Sequence, residues 1–306
     1  GKAKSVVENG YPVYGESSSV NVLSGAEDTV SSYFGANLCV GGTENIGQES
    51  VEHNSVAEAA GVFNTATNTI TYAQNIYERM YPASTTKILT AYLAIKYGNL
   101  SDVVTISDNA VNLASDSSKC GLQAGDQMTL QDLLYGLMLR SGNDAAIAIA
   151  EHISGSVEAF VDLMNQEAQQ LGATGSHFMN PNGLPDENHY TTVYDLYLIF
   201  QKALQDETFY QLISTSSYTT NYTAADGSAK TQDWSSTNQY KTGESKLPDG
   251  FTLGGGKTGT TGDAGFCLVL LTDNAGGQPV ISIVLKADCK SNLYLMMNEI
   301  LAGCGN

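Results

Sequence analysis

The chain has 306 residues, with 14 Lys+Arg against 32 Asp+Glu and a formal net charge of -18. This acidity argues against a nucleic-acid binder, whose affinity comes mostly from Lys and Arg on phosphates, and against charge-driven attachment to an anionic membrane. Hydrophobic residues make up 42%, enough for a sizeable core, which argues against wholesale disorder.

The first 54 residues are rich in Ser, Gly, Glu and Asn and hold two Lys against seven acids. They read as an acidic extension or tether, with residues 33–40 a candidate for packing on the folded part of the chain. The opening Gly1-Lys2-Ala3-Lys4 has no apolar stretch and is not a signal peptide. No run of eighteen apolar residues occurs, so no transmembrane helix is expected.

From residue 55 to 306 the pattern is that of one folded unit. Ala59 to Asn64 and Thr69 to Ala73 read as two short strands around a turn. Pro82 precedes a helical pattern over Thr85 to Tyr97, with Ile88, Leu89, Tyr92, Leu93 and Ile95 in register. Further helices are predicted over Leu130 to Leu139, Asp144 to Ile153, Val157 to Leu171 and Thr192 to Leu204. Thr129 and Thr191 are their candidate N-caps, and Gly172 a C-cap. Segments 173–190 and 214–256 are polar and read as loops. Gly254 to Thr260, Gly265 to Thr272 and Pro279 to Ala287 read as antiparallel strands, and Ser291 to Leu301 as a closing helix. Strands at both ends of a helical middle predict an α+β fold with a helical insertion over about 84–205.

Five cysteines have no paired spacing, and the four histidines no helical i, i+4 pair, so a metal site is not expected. Cys267 reads as a buried free thiol. Whether Cys289 and Cys304 bridge is left open by the sequence.

Three motifs carry the chemistry. Ser84-Thr85-Thr86-Lys87 places a serine at a helix start and a lysine three residues on, sharing one face. The helix N-terminus favours a developing negative charge at the serine, and a buried lysine can serve as its base. Chance alone gives about one such pair in a chain of this composition, so the motif is weak by itself. Ser141-Gly142-Asn143 joins two helices, where both side chains can point into a cleft. Lys257-Thr258-Gly259-Thr260 lies on a strand with its two hydroxyls alternating onto one face, suited to a carboxylate. Gly259 permits close approach of a ligand. Decoys exist. Ser107-Asp108-Asn109 reads as a polar helix start, Ser236-Thr237-Asn238 as loop and Lys241-Thr242-Gly243 as a surface turn.

In order and context the three motifs match a known triplet. The chain resembles the low-molecular-weight penicillin-binding proteins, serine-type D-alanyl-D-alanine carboxypeptidases of peptidase family S11. Tyr81-Pro82-Ala83-Ser84-Thr85-Thr86-Lys87-Ile88-Leu89-Thr90-Ala91 is similar to the family's nucleophile segment, and Leu139-Arg140-Ser141-Gly142-Asn143-Asp144-Ala145-Ala146 to its second motif. Asn180-Pro181-Asn182-Gly183-Leu184-Pro185-Asp186 resembles a family loop, and residues 256–267 resemble the third motif with its strand. The likeness covers roughly residues 57–302. It does not extend to the β-rich C-terminal domain that many members add.

The resemblance implies a β-lactamase/transpeptidase-like fold, an antiparallel sheet beside a helical subdomain with the site in the cleft between. Ser84 would be the nucleophile and Lys87 its base, attacking the penultimate D-Ala carbonyl of a peptidoglycan stem peptide. Ser141, helped by Lys257, would relay the proton to the leaving D-Ala. Asn143 would hold the acyl-side amide. The N–H groups of Ser84 and Thr260 would form the oxyanion hole. Lys257, Thr258 and Thr260 would receive the terminal carboxylate, with Gly259 giving it access. No metal or organic cofactor is implied, β-lactams would acylate Ser84, and the location would be the bacterial envelope outside the cytoplasmic membrane, lipid-anchored or secreted. Two alternatives stay open: a class A-like β-lactamase, against which stands the lack of a Glu-x-x-Leu-Asn element in 144–256, and a catalytically inactive wall-binding protein. His189 and Asp195 read as structural, Tyr190, Tyr194 and Tyr197 as helix packing, and Trp234 is expected at a cleft rim.

Overall fold

The computed structural model of the chain describes residues 37–306. Two lobes share one core. The first is a five-stranded antiparallel sheet in the order β2-β1-β9-β8-β7, built from β1 (Ala57–Asn64), β2 (Thr69–Gln74), β7 (Thr252–Thr261), β8 (Gly265–Asp273) and β9 (Pro279–Ala287). The second is helical: α1 (Lys87–Tyr97), α2 (Asp108–Val111), α3 (Leu130–Leu139), α4 (Asn143–Ser154), α5 (Val157–Gln170), α6 (Val193–Ala203) and α7 (Glu207–Ser214). A short helical turn α8 (Gln239–Thr242) and the long α9 (Lys290–Cys304) complete the helices.

The apolar runs of β8 and β9 follow from coverage on both faces. In β9, Ile281, Ile283 and Leu285 point into the core shared with the helical lobe, while Val280 and Val284 meet α9. In β8, Cys267, Val269 and Leu271 take the first face, Leu268 and Leu270 the second. α9 buries Leu293, Met296, Met297, Ile300 and Leu301 against the sheet, the i, i+3, i+4, i+7, i+8 stripe of an amphipathic helix. α1 has no free face over its first eight residues, all of them buried. It is the axis of the helical lobe, and truncating a buried Leu93 to Ala would cost about 2–5 kcal/mol.

A second sheet was not expected. β3 (Val103–Thr105), β4 (Gln127–Thr129), β5 (Ser217–Thr223) and β6 (Ala229–Ser235) form a four-stranded sheet in that order. Its hairpin β5–β6 lies in the segment read as loop. Both strands are mostly polar because one face is solvated, and their inward positions include Thr220, Tyr222 and Trp234. The helix α7 was also missed. Thr192, one residue later than expected, caps α6 by accepting the Asp195 N–H, and Thr129 caps α3 by accepting that of Asp132.

Residues 37–56 lie against this domain. Cys39 N–H donates to the Tyr197 hydroxyl at 2.9 Å, Ile46 pairs with Ala73, and His53 N–H donates to Glu299 at 2.9 Å. Residues 1–36 of the extension lie outside the described residues. All five cysteines are free thiols, so Cys289 and Cys304 do not bridge. Among the described residues no helix is long and apolar enough to cross a membrane.

Candidate active site

The site forms where the edge strand β7 meets the start of α1. A 3-10 turn, Ala83–Thr86, leads into α1, and Thr85 Oγ1 closes it by donating to Pro82 O at 2.6 Å. Ala83 holds φ 48°, a left-handed conformation costly for an L-residue. The turn leaves Ser84 half-buried while its neighbours Thr85, Thr86 and Lys87 are fully enclosed.

Lys87 Nζ lies 2.8 Å from Ser84 Oγ, and donates to Asn143 Oδ1 at 2.8 Å and to the Asn182 carbonyl at 2.7 Å. Burial, and then repulsion from Lys257, hold this amine well below its ordinary pKa. The consequence is geometric. Once deprotonated, the amine has two N–H bonds and one lone pair, and the Asn182 carbonyl and the Asn143 amide oxygen accept only. They take the two N–H bonds, and the lone pair is left for the Ser84 hydroxyl proton.

Asn143 opens α4 and its N–H donates to Ser118 O at 2.9 Å. Ser141 sits just before it at φ 55°, again left-handed. Lys257 Nζ reaches across from β7 to donate to Ser141 Oγ at 3.0 Å and to Thr258 O at 2.6 Å. Burial pushes Lys257 down to about 7. Two buried lysines thus each meet a serine, one on either side of the cleft.

Gly259 makes the two sides fit. A Cβ built there would lie 2.7 Å from Ser84 N and 2.9 Å from Thr85 N. Only glycine lets β7 approach the Ala83–Thr86 turn so closely. On the strand's other parity, Thr258 is half-buried and Thr260 exposed. All eight residues expected at the site, Ser84, Lys87, Ser141, Asn143, Lys257, Thr258, Gly259 and Thr260, are therefore gathered along this cleft.

The structure also shows support that the motifs did not reveal. The Asp144 carboxylate accepts the N–H groups of Cys120 at 2.9 Å and Leu122 at 3.1 Å, fastening the preceding loop to the Ser-Gly-Asn turn. A Cβ at Gly142 would lie 2.2 Å from Cys120 Sγ, so glycine is needed at the turn's centre. Trp234 is not at a rim. It is 2% exposed, packs under this loop against Gly136, and donates to Cys120 O at 3.3 Å. The indole is the largest side chain of its hairpin, and its N–H finds a buried carbonyl.

Asn180 Oδ1 accepts Gly183 N–H at 2.7 Å, which shapes the loop that delivers the Asn182 carbonyl to Lys87. The polarity of residues 173–190 marks this segment as loop, but a backbone contact leaves no side-chain signature. His189 is buried behind α1. Its Nδ1 accepts Met179 N–H at 2.9 Å, so Nε2–H donates to Thr86 Oγ1 at 2.8 Å. Burial lowers it to about 4, and it stays neutral. Asp195 is held by Ser176 Oγ at 2.7 Å, and Tyr197 stacks on Phe63 at 4.2 Å. The decoys have other duties. Ser107 caps α2 and donates to Glu151 at 2.7 Å, and Lys241 donates to Thr215 O at 2.7 Å.

The D-alanyl-D-alanine carboxypeptidase family profile matches residues 46–289. The D-alanyl-D-alanine carboxypeptidase DacF of Bacillus subtilis is 34% identical over 265 residues, 83% of this chain and 64% of its own length. DacA of Haemophilus influenzae is 34% identical over 220 residues, 70% of this chain and 52% of its own. The D-alanyl-D-alanine carboxypeptidase of Streptomyces sp. strain K15 is 35% identical over 267 residues, 83% and 89% of the two chains. The crystal structure of the Streptomyces K15 DD-transpeptidase superposes with a TM-score of 0.75 at 31% identity, covering 81% of this chain and 96% of that one. The chain thus spans between half and two thirds of the length of the first two relatives.

Proposed function

The chain belongs to the D-alanyl-D-alanine carboxypeptidase family S11, and from that premise we propose that it removes the terminal D-Ala from peptidoglycan stem peptides through an acyl-enzyme on Ser84. The observation that carries this reading is the Lys87 amine, buried, depressed in pKa and 2.8 Å from Ser84 Oγ, with two acceptors, Asn143 Oδ1 and the Asn182 carbonyl, to take the N–H bonds of its neutral form. Lys87 takes the Ser84 proton as Oγ attacks the penultimate D-Ala carbonyl. The backbone N–H groups of Ser84 and Thr260 stabilise the oxyanion, worth about 2.7–4 kcal/mol per donor. The proton taken by Lys87 is relayed to the departing amine through the Ser141 hydroxyl, held by Lys257, so that Ser141 regains the proton it gives. Thr258 and Thr260 hold the carboxylate, and the charge of Lys257 favours it there. Water then releases the shortened peptide. The same groups accept a β-lactam as a substrate mimic.

Deacylation separates this reading from a β-lactamase. The loop reaching Lys87 presents Asn180 and Asn182, whose amides cannot take a proton from water. The carboxylate near Lys87, that of Asp144, is engaged by backbone N–H groups. A penicillin adduct is therefore long-lived. The substrate puts the domain outside the cytoplasmic membrane, with the acidic N-terminal segment as its tether. Fractionation of the native protein, with mass analysis of its N-terminus, tests that placement.

The direct test is D-Ala release from a peptide ending in Lys-D-Ala-D-Ala. The wild type should release it and Ser84→Ala should not. Equal release by both would end the enzyme reading, and rapid turnover of penicillin would favour the β-lactamase.

A further inference from the structure

Ser236-Thr237-Asn238, one of the decoys, is not idle loop. Thr237 Oγ1 lies 2.7 Å from Thr258 Oγ1, so the segment leaving β6 touches the hydroxyl face of β7. The segment is fastened on both sides of Thr237. Ser236 N–H donates to Ser216 O at 2.9 Å, Asn238 N–H to Ser236 Oγ at 3.1 Å, and Gln239 N–H to the Tyr294 hydroxyl at 3.0 Å. Asn238 Oδ1 caps α8 by accepting Tyr240 N–H at 3.0 Å. Thr237 itself stays exposed, and Thr258 Oγ1 has no other hydrogen-bond partner among the described residues.

We propose that Thr237 is a positioning residue for the terminal carboxylate of the substrate, acting through Thr258. The inference rests on the reading of β7 as the carboxylate subsite. Two hydroxyls 2.7 Å apart share one proton between them, in either direction. If Thr258 donates to Thr237, it turns only lone pairs outward and repels a carboxylate. If Thr237 donates to Thr258, the Thr258 proton is free to point at the anion. A carboxylate accepts only, so its arrival selects the second direction. A hydroxyl that already accepts a hydrogen bond is also a stronger donor, so the Thr237→Thr258→carboxylate chain is cooperative. Because the segment is anchored, this orientation costs little ordering on binding.

The experiment compares second-order acylation rates of the full chain by benzylpenicillin and by its carboxylate methyl ester. The variants are Thr237→Val, Thr237→Ser, Thr258→Val and the double valine. Thr237→Val should slow acylation by the free acid about tenfold and leave the ester nearly unchanged, while Thr237→Ser restores the wild-type rate. In the Thr258→Val background, Thr237→Val should add nothing further. An equal loss on acid and ester, no loss at all, or a full additional loss in the Thr258→Val background would overturn the proposal. If Thr258→Val itself leaves acylation by the acid unchanged, the reading of β7 as the carboxylate subsite fails, and the Thr237 inference with it.

Discussion

A Cβ at Gly259 would lie 2.7 Å from the backbone nitrogen of Ser84, so strand β7 and the Ala83–Thr86 turn approach each other as closely as two main chains can in the absence of a side chain. The obstacle would be backbone on the Ser84 side, which cannot swing away as a flexible side chain would. Gly259→Ala should therefore push β7 back from the turn and widen the gap between the N–H groups of Ser84 and Thr260. A misplacement of about 1 Å costs on the order of 100-fold in rate. Acylation by penicillin should fall by about that factor while urea unfolding shows the fold retained. Wild-type acylation in the variant would mean the two main chains are not tightly coupled.

The two buried lysines should mark the pH dependence of stability. Lys257 lies at about 7 in the folded chain against 10.5 for an unperturbed lysine. Between those values the unfolded chain binds a proton that the folded chain does not, so stability rises with pH across that window. The cost of burying the amine is fully present below about 7 and gone above about 10.5. Lys87, also depressed, acts in the same direction. Lys257→Met removes one of these protons. Its unfolding free energy should rise less steeply with pH over that interval, by up to about 1.4 kcal/mol per pH unit. Urea midpoints measured across the range check this, and identical slopes would contradict it.

Most of the candidate site's layout is legible in the sequence because each motif is tied to a local structural signal. Pro82 and the periodicity after Thr85 marked the helix that presents Ser84 and Lys87. The alternation of Lys257, Thr258, Gly259 and Thr260 marked a strand, and Ser141 to Asn143 fell between two apolar helices. What escaped were features set by partners distant in sequence. The β5–β6 hairpin reads as loop because one of its faces is solvated and its inward positions include Thr220. The Asn182 carbonyl touches Lys87 through backbone, which any residue type provides. Trp234 looked like a rim residue only because sequence cannot show that the Cys120 carbonyl lies within its reach. Nothing local to Thr237 signals that β7 runs alongside it.

Ser141 at φ 55° allows a separation of strain from chemistry. Both Ser141→Gly and Ser141→Ala lose the hydroxyl that receives Lys257, and both should slow acylation by about 100-fold or more. Their stabilities should differ. Alanine keeps the left-handed cost and glycine does not, so the glycine variant should be the more stable by about 1 kcal/mol. Thermal melts of the pair decide it. An alanine variant more stable than the glycine one would show that the turn carries no such strain.

Asp144 holds the loop behind the Ser-Gly-Asn turn through its bonds to the Cys120 and Leu122 N–H groups. Asp144→Ala leaves those buried donors unpaired, at a cost of about 2–4 kcal/mol in stability. It should also loosen Asn143, whose own N–H is bound to the same loop at Ser118. Denaturant unfolding together with penicillin acylation should show both losses. A variant with wild-type stability would place the loop's support elsewhere.

The central claim is that Ser84, activated by Lys87, forms the acyl-enzyme. Peptide mapping by mass spectrometry after incubation with benzylpenicillin tests it most directly, on the wild type, Ser84→Ala and Lys87→Arg. One penicilloyl group per chain is expected, located on Ser84 and persisting after free drug is removed. Ser84→Ala should carry no adduct. With Lys87→Arg, whose guanidinium cannot serve as a base, acylation should be slowed by about 100-fold or more. An adduct on another residue, or undiminished acylation of either variant, would contradict it.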